Sequence, residues 1–127
     1  MTTKASTEEH NKAVIRRYLS ALSGQSKTEA RLREFTTDED LIAHVNEAEA
    51  AFPGYELLVD DTVAEGDKVV VRARMRGVHR GEFAGIAPTG RSVEAPVIVI
   101  YQIEQDKVVK FWIQADMMGL VQQLSEA

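Results

Sequence analysis

Val93-Glu94-Ala95-Pro96-Val97-Ile98-Val99-Ile100-Tyr101-Gln102-Ile103, then Glu104-Gln105-Asp106-Lys107, then Val108-Val109-Lys110-Phe111-Trp112-Ile113-Gln114-Ala115, is the stretch that decides the fold of this chain. Both flanking runs are rich in β-branched and aromatic residues, which suit a pleated, half-buried surface. The polar interruption reads as a tight turn at Gln105-Asp106, so the runs form an antiparallel hairpin. Val97 to Tyr101 is apolar at every position, so this strand has apolar side chains on both faces of the sheet. Counted back from the turn, Tyr101 falls opposite Lys110, Val99 opposite Trp112, Val97 opposite Gln114 and Ala95 opposite Asp116. On that count Asp116 ends an otherwise apolar wall, while Ile98, Ile100, Phe111 and Ile113 lie on the outer face.

Upstream of this hairpin, Tyr55, Leu57, Val59 and Val63 alternate with polar neighbours, and Val69, Val71, Ala73 and Met75 alternate with Arg72, Arg74 and Arg76. A three-residue turn, Glu65-Gly66-Asp67, would set Val63 opposite Val69 and Leu57 opposite Met75, and would turn the arginine row to solvent. Farther back the period changes from two to 3.6. Val14, Tyr18 and Leu22, with Ile15 and Leu19 beside them, predict a helix over His10 to Leu22. Lys27 to Phe35 reads as a short second helix with Leu32 and Phe35 inward. A third starts near Thr37, with Asp40 giving early negative charge, and runs along Leu41, Val45, Ala48 and Phe52 until Pro53-Gly54 ends it. Helices followed by an antiparallel meander define the α+β class, with the helices on one face of a curved sheet.

The whole chain, 127 residues, fits a single domain over 1–127, with residues 1–8 expected to fray. Its 20 acidic and 15 basic residues give a formal charge of -5, which leaves no basic surplus for a nucleic-acid backbone or an anionic membrane. The chain has no cysteine, hence no disulfide framework, thiolate nucleophile or cysteine-bound metal. The N-terminus lacks the apolar core of a secretory signal, and no segment approaches the roughly 18 apolar residues of a membrane span; a cytoplasmic protein is expected.

If the Asp116 face looks into a cavity between sheet and helices, its carboxylate is desolvated beside Trp112 and valines and suits a general base. Asp116 also precedes a helix-like segment, Met117 to Leu124, where aspartate is a favoured N-cap, and the two roles are compatible. His79 shares parity with Val71, Ala73 and Met75 and stands as a hydrogen-bond donor or proton shuttle at the cavity mouth, or as a structural histidine. Tyr18, on the apolar face of the first helix, is either a core tyrosine or an oxyanion donor. His10, His44 and His79 show no short metal-ligand spacing, so no metal is expected. The glycines at 77, 81, 85 and 90 form neither a GxxxxGK[ST] phosphate loop nor a strand-to-helix GxGxxG, and no serine stands in GxSxG.

Gly66-Asp67-Lys68-Val69, Val78-His79-Arg80-Gly81-Glu82-Phe83, Pro88-Thr89-Gly90-Arg91, Trp112-Ile113-Gln114-Ala115-Asp116 and Gln123-Leu124 together resemble the SnoaL-like polyketide cyclases of the nuclear-transport-factor-like, ketosteroid-isomerase-like superfamily. The resemblance implies a cone-shaped, cystatin-like α+β fold, with N-terminal helices on the concave face of the sheet. It also implies a cofactor-free intramolecular aldol condensation in which the residue matching Asp116 is the acid/base. His79 matches the histidine of the family's THxG-like stretch, with Val78 in place of threonine, and Trp112 matches its tryptophan. Arg17-Tyr18-Leu19-Ser20-Ala21-Leu22 resembles the first helix of ketosteroid isomerases, whose tyrosine polarises a ketone, but the acidic loop carrying the isomerase base has no counterpart after the second helix.

The expected site therefore has Asp116 and His79 as catalytic groups. Tyr18, Phe35, Met75, Phe83, Val97, Val99, Tyr101, Trp112 and Gln114 are expected to line it. A hydrophobic small molecule is the expected partner, with a non-catalytic binder as the alternative and an epoxide hydrolase behind it. A homodimer through the outer sheet face is also expected.

Overall fold

The computed structural model describes residues 3–125, with side-chain surroundings from Thr7 onward. Three helices, α1 (Thr3–Leu22), α2 (Glu29–Arg33) and α3 (Glu39–Ala51), precede the strands β1 (Glu56–Glu65), β2 (Lys68–Val78), β3 (Ser92–Glu104) and β4 (Lys107–Ala115), and α4 (Met117–Ser125) closes the order. The strands form one antiparallel sheet in the order β1-β2-β3-β4. The α+β class and its curved meander are those read from the sequence. The apolar stripe of α1, Val14, Ile15, Tyr18, Leu19 and Leu22, is buried with Val69, Val71, Val97 and Val99 of the sheet. Of residues 1–8, Met1 and Thr2 lie outside the described residues and α1 includes the rest. Glu8 accepts a hydrogen bond from the Gly66 N–H at the β1–β2 turn (2.8 Å).

The helix boundaries follow their caps. Thr28 accepts from the Arg31 N–H and starts α2, which is shorter than the Lys27–Phe35 segment expected. The N-cap of α3 is Asp38, accepting from Asp40 N–H at 3.0 Å, not Thr37. The preceding Thr36 is held elsewhere: its hydroxyl donates to the Val108 carbonyl (2.7 Å) and accepts from the Asp38 N–H (2.9 Å).

Both hairpins contain a bulge, and these correct the expected registers. In the first, the turn is Gly66-Asp67, with Glu65 opposite Lys68, so Ala64 rather than Val63 faces Val69. Leu57 still pairs with Met75, because an irregularity between Val59 and Asp61 takes up the odd residue, Asp60. Val63 consequently points outward and is 56% exposed. Arg72, Arg74 and Arg76 face the outside as expected, paired with Asp60, Glu56 and Glu94.

The second hairpin starts as counted, with Glu104 opposite Lys107 and Ile103 opposite Val108, but Gln102 then pairs with Lys110 and Val109 is left over. Val108 is engaged on its other edge: its N–H donates to the Phe35 carbonyl and its carbonyl accepts from Thr37 N–H. Beyond the bulge every β4 residue has changed face, because the side-chain period of a strand is two. Phe111, Ile113 and Ala115 oppose Tyr101, Val99 and Val97, whereas Lys110, Trp112 and Gln114 face away. Phe111 and Ile113 therefore leave the outer patch, and Trp112 (40% exposed) joins Ile98 (47% exposed) there.

Past the end of β4, the Gln123 side chain of α4 takes the place of a strand partner for β3. Its Oε1 accepts from Glu94 N–H and its Nε2 donates to the Glu94 carbonyl. This seats Leu120 and Leu124 with Phe52, Tyr55, Val93 and Ala95 in a second core cluster. No helix among the described residues is long and apolar enough to cross a membrane.

Candidate active site

Between the inner sheet face and the helices lies a cavity of about 120 Å³. Its walls come from Tyr18 of α1, Leu41, His44, Val45 and Ala48 of α3, Leu57 and Met75 of the first hairpin, Ala95, Val97, Val99 and Tyr101 of β3, Phe111, Ile113 and Ala115 of β4, and Met117 and Leu120 of α4. Phe52, Tyr55, Phe83 and Pro96 complete them. An engineered apolar cavity of roughly 150 Å³ holds one benzene, so the enclosed part accepts about one ring and a larger ligand must extend through the mouth. The exposed lining residues Ala115 and Met117 mark that mouth.

The polar groups in this wall are few. Tyr18 and Tyr101 meet ring to ring in an edge arrangement, 5.8 Å between centroids, and Tyr18 also packs on Phe35 at 5.5 Å. Burial raises the phenol pKa of Tyr18, Tyr55 and Tyr101, and the proximity of the phenols to one another adds to this for Tyr18 and Tyr101. All three therefore stay protonated donors at neutral pH. None of their hydroxyls has a hydrogen-bond partner among the described residues. The backbone of Tyr55 is fixed from behind: buried Lys27 donates to its carbonyl (2.7 Å), lies 4.1 Å over its ring and pairs with Glu49 at 3.3 Å.

His44 is the one imidazole in the lining. It follows Leu41 by three residues and precedes Ala48 by four, so the helical period places it on the inner face of α3. Its ring packs against Phe111 at 5.5 Å. Burial lowers its pKa below the usual histidine value, with Glu47 opposing the shift, so it is neutral at pH 7.

Of the expected site residues, Tyr18, Met75, Phe83, Val97, Val99 and Tyr101 line the cavity. Trp112 and Gln114 do not, because the β4 bulge turns them outward, and Lys110 lies over the Trp112 ring at 4.9 Å. Phe35 backs Tyr18 from the core instead of touching the cavity.

Asp116 does not pair with Ala95. Its N–H donates to the Pro96 carbonyl, its side chain is exposed, and its Oδ1 accepts from Gly119 N–H at 2.9 Å, capping α4. A Cβ at position 119 would collide with Oδ2, so glycine there is what lets the carboxylate lie over the first turn of α4. Asp116 itself does not line the cavity, but its neighbours Ala115 and Met117 do, which places it at the rim.

His79 is fully buried but is not in the lining. Its Nδ1 accepts from Thr89 N–H at 3.1 Å, and its Nε2 has no partner among the described residues. The ring lies 5.6 Å from that of Phe52, behind the cavity wall. Here the histidine pins the loop 79–91. That loop also docks on the end of α3 through Arg80 N–H and Gly81 N–H to the Ala51 carbonyl. A Cβ at Gly81 would collide with the Ala50 carbonyl oxygen, so the close approach needs glycine. The sequence reading also left His44, Phe111 and Ile113 out of the cavity. The α3 spacing already carries His44, whereas Phe111 and Ile113 enter only through the change of face at the β4 bulge.

The arrangement is that of an NTF2-like fold: a curved antiparallel sheet, N-terminal helices and an apolar cavity between them. The chain belongs to the SnoaL-like polyketide cyclase family, whose sequence profile matches residues 9–124. Among solved structures it is similar to a proposed SnoaL-like polyketide cyclase from Jannaschia sp. CCS1, with 24% identity, a TM-score of 0.85, and 100% of this chain and 99% of that chain covered. AclR from Streptomyces galilaeus, a proposed hydroxylase, matches with 23% identity and a TM-score of 0.80 over 94% of this chain and 83% of its own. An NTF2-like protein from Burkholderia thailandensis E264 matches with 22% identity and a TM-score of 0.53 over 69% and 63%. These likenesses show the fold. No functionally curated protein matches the chain.

Proposed function

We propose that the cavity binds one ring of an apolar ketone and that the chain acts on it as a cofactor-free cyclase or isomerase of polyketide-like compounds. The observation that carries this reading is the composition of the wall: apolar side chains interrupted by three protonated phenols whose hydroxyls have no hydrogen-bond partner among the described residues. Donors of that kind lower the energy of an enolate oxygen more than that of the ketone it comes from, which is what accelerates proton removal beside a carbonyl. The fold accommodates proteins assigned different activities, so the argument rests on these residues and on the family.

In this reading Asp116 serves as acid/base at the rim, through the Oδ2 that the helix cap leaves unbonded. His79 acts indirectly, holding the loop and Phe52. A binder without turnover is the second reading, favoured by the lack of a carboxylate in the lining among the described residues. The Asp–Arg–Asp set of an epoxide hydrolase finds no support, since Arg72, Arg74 and Arg76 are engaged on the opposite face. The chain is read as a homodimer through the outer face around Ile98, Ile100 and Trp112.

The test uses two bicyclic probes, 2-naphthol as an enol mimic and 2-tetralone as a ketone with acidic α-protons. The expected result is saturable naphthol binding, abolished by Ala48→Phe, which places a ring in the cavity, together with protein-dependent exchange of the tetralone α-protons for deuterium. Binding without exchange would replace the cyclase reading by the binder. Neither binding nor exchange would refute both.

A further inference from the structure

We infer that His44 is a proton-transfer group for the reaction, acting from inside the cavity where Asp116 does not reach; the inference rests on the cyclase or isomerase reading above. Three observations carry it. His44 lines the cavity, its ring tilted against that of Phe111. Neither of its ring nitrogens is engaged with another described residue, in contrast to His79, whose Nδ1 is committed to Thr89. The remaining ionisable groups in the lining are the phenols, which burial keeps protonated, so among the described residues His44 is the one lining residue able to accept a proton near neutral pH.

The groups facing it are countable. α1 contributes Tyr18, the segment before β1 contributes Tyr55 and β3 contributes Tyr101, while the lining residues of β2, β4 and α4 are not ionisable. Glu47, on its own helix, favours the charged ring and partly opposes the effect of burial. The balance favours neutral imidazole in the resting protein and imidazolium once a proton arrives, because the enolate formed beside it brings the compensating negative charge.

The C–H bond α to the carbonyl breaks, its proton passes to an imidazole nitrogen of His44, and the electron pair moves into the carbon–carbon bond as the carbonyl oxygen becomes an enolate accepting from the phenols. In a cyclisation the enolate carbon then forms a bond to a second carbonyl carbon, and the resulting alkoxide takes back the proton from the imidazolium. In an isomerisation the proton returns to a different carbon. Nothing is oxidised or reduced, so no co-reactant is required. Asp116 at the rim and His44 in the wall then divide the two ends of a ligand too long for the enclosed space.

The experiment follows the deuterium exchange of 2-tetralone by wild type and His44→Gln, with 2-naphthol binding measured on the same samples. General acid–base groups contribute 10²- to 10⁴-fold, so the variant should exchange at least about 100-fold more slowly while its naphthol affinity changes by less than about threefold. The wild-type rate should rise with pH through an ionisation below the ordinary histidine value, and that limb should be absent from His44→Gln. A second measurement needs no variant: the imidazole resonances of His44, titrated by NMR, should shift when 2-naphthol is bound. Wild-type exchange in His44→Gln with naphthol still bound, or a His44 titration indifferent to naphthol, overturns the inference and leaves the cyclase reading standing. A wild-type protein that neither binds naphthol nor exchanges tetralone removes the reading on which it rests.

Discussion

Replacing Lys27 by methionine would remove a buried ammonium from behind the cavity wall while nearly preserving its volume. The side chain is 3% exposed, donates to the Gln25 and Tyr55 carbonyls at 2.8 and 2.7 Å, and stands 3.3 Å from a Glu49 carboxylate that is itself 20% exposed. Two opposing terms decide the outcome. Burial lowers the Lys27 pKa despite Glu49, so its charge is less favourable here than in water, and losing the charge returns some stability. Against that, two carbonyls lose a charged donor and Glu49 is left without its cation, which for a broken buried pair costs about 3–5 kcal/mol. Glu49 Oε2 keeps the N–H groups of Lys27 and Gly54, so the lower end applies and about 3 kcal/mol is expected.

With a urea slope of about 1.5 kcal/mol/M, that loss moves the unfolding midpoint down by about 2 M. Lys27→Met/Glu49→Gln should recover about 1 kcal/mol of the loss, because the second change removes the orphaned charge. The pH dependence has a definite sign. The folded pKa lies below the unfolded one, so the unfolded chain binds more protons between the two values and the Lys27 contribution to stability rises with pH across that alkaline window. A loss under about 1 kcal/mol, or a double variant weaker than the single, would refute the view that this pair holds Tyr55 in place.

Asp116→Asn should leave stability within about 0.5 kcal/mol, since asparagine caps as well as aspartate, and should slow tetralone exchange; Asp116→Ala should cost about 1 kcal/mol by thermal or urea unfolding. An asparagine variant with undiminished exchange would remove the acid/base role and leave the cap. Sedimentation at micromolar concentration should show a dimer that Trp112→Lys dissociates, and a wild-type monomer would discard the outer face as a self-association surface.

The local rules carried most of the fold. The apolar spacing of α1 and α3, the Pro53-Gly54 stop and the Gln105-Asp106 turn all act over a few residues, so they are visible without knowledge of the rest of the chain. Gln105 and Asp106 indeed both adopt positive φ, as a two-residue hairpin turn requires. What escaped was set by distant contacts. The leftover Val109 accompanies the attachment of Val108 to Phe35 and Thr37, more than seventy residues away in sequence for Thr36, whose hydroxyl joins in. That single residue exchanged Trp112 and Gln114 for Phe111 and Ile113 in the cavity. Motif resemblance placed Asp116 near the site but could not tell rim from interior, because the cap and the wall differ by one residue of register. His44 is a polar residue on the apolar face of α3, where spacing alone does not separate a cavity wall from a solvated rim.

The bulge in β1 has a bearing on how the folded chain behaves in a crowded solution. β1 is an end strand of the sheet, and a regular end strand offers a row of free N–H and C=O groups on which another chain can add a strand. Here the row is interrupted at Asp60, with Asp61 beside it, both exposed and both acidic. A second strand approaching that edge meets a break in spacing, a local increase in twist and the Asp61 carboxylate, while Asp60 is held by Arg74. The residue that restores the hairpin register thus also interrupts the edge on which a further strand would add, and its deletion is expected to show first as aggregation on storage.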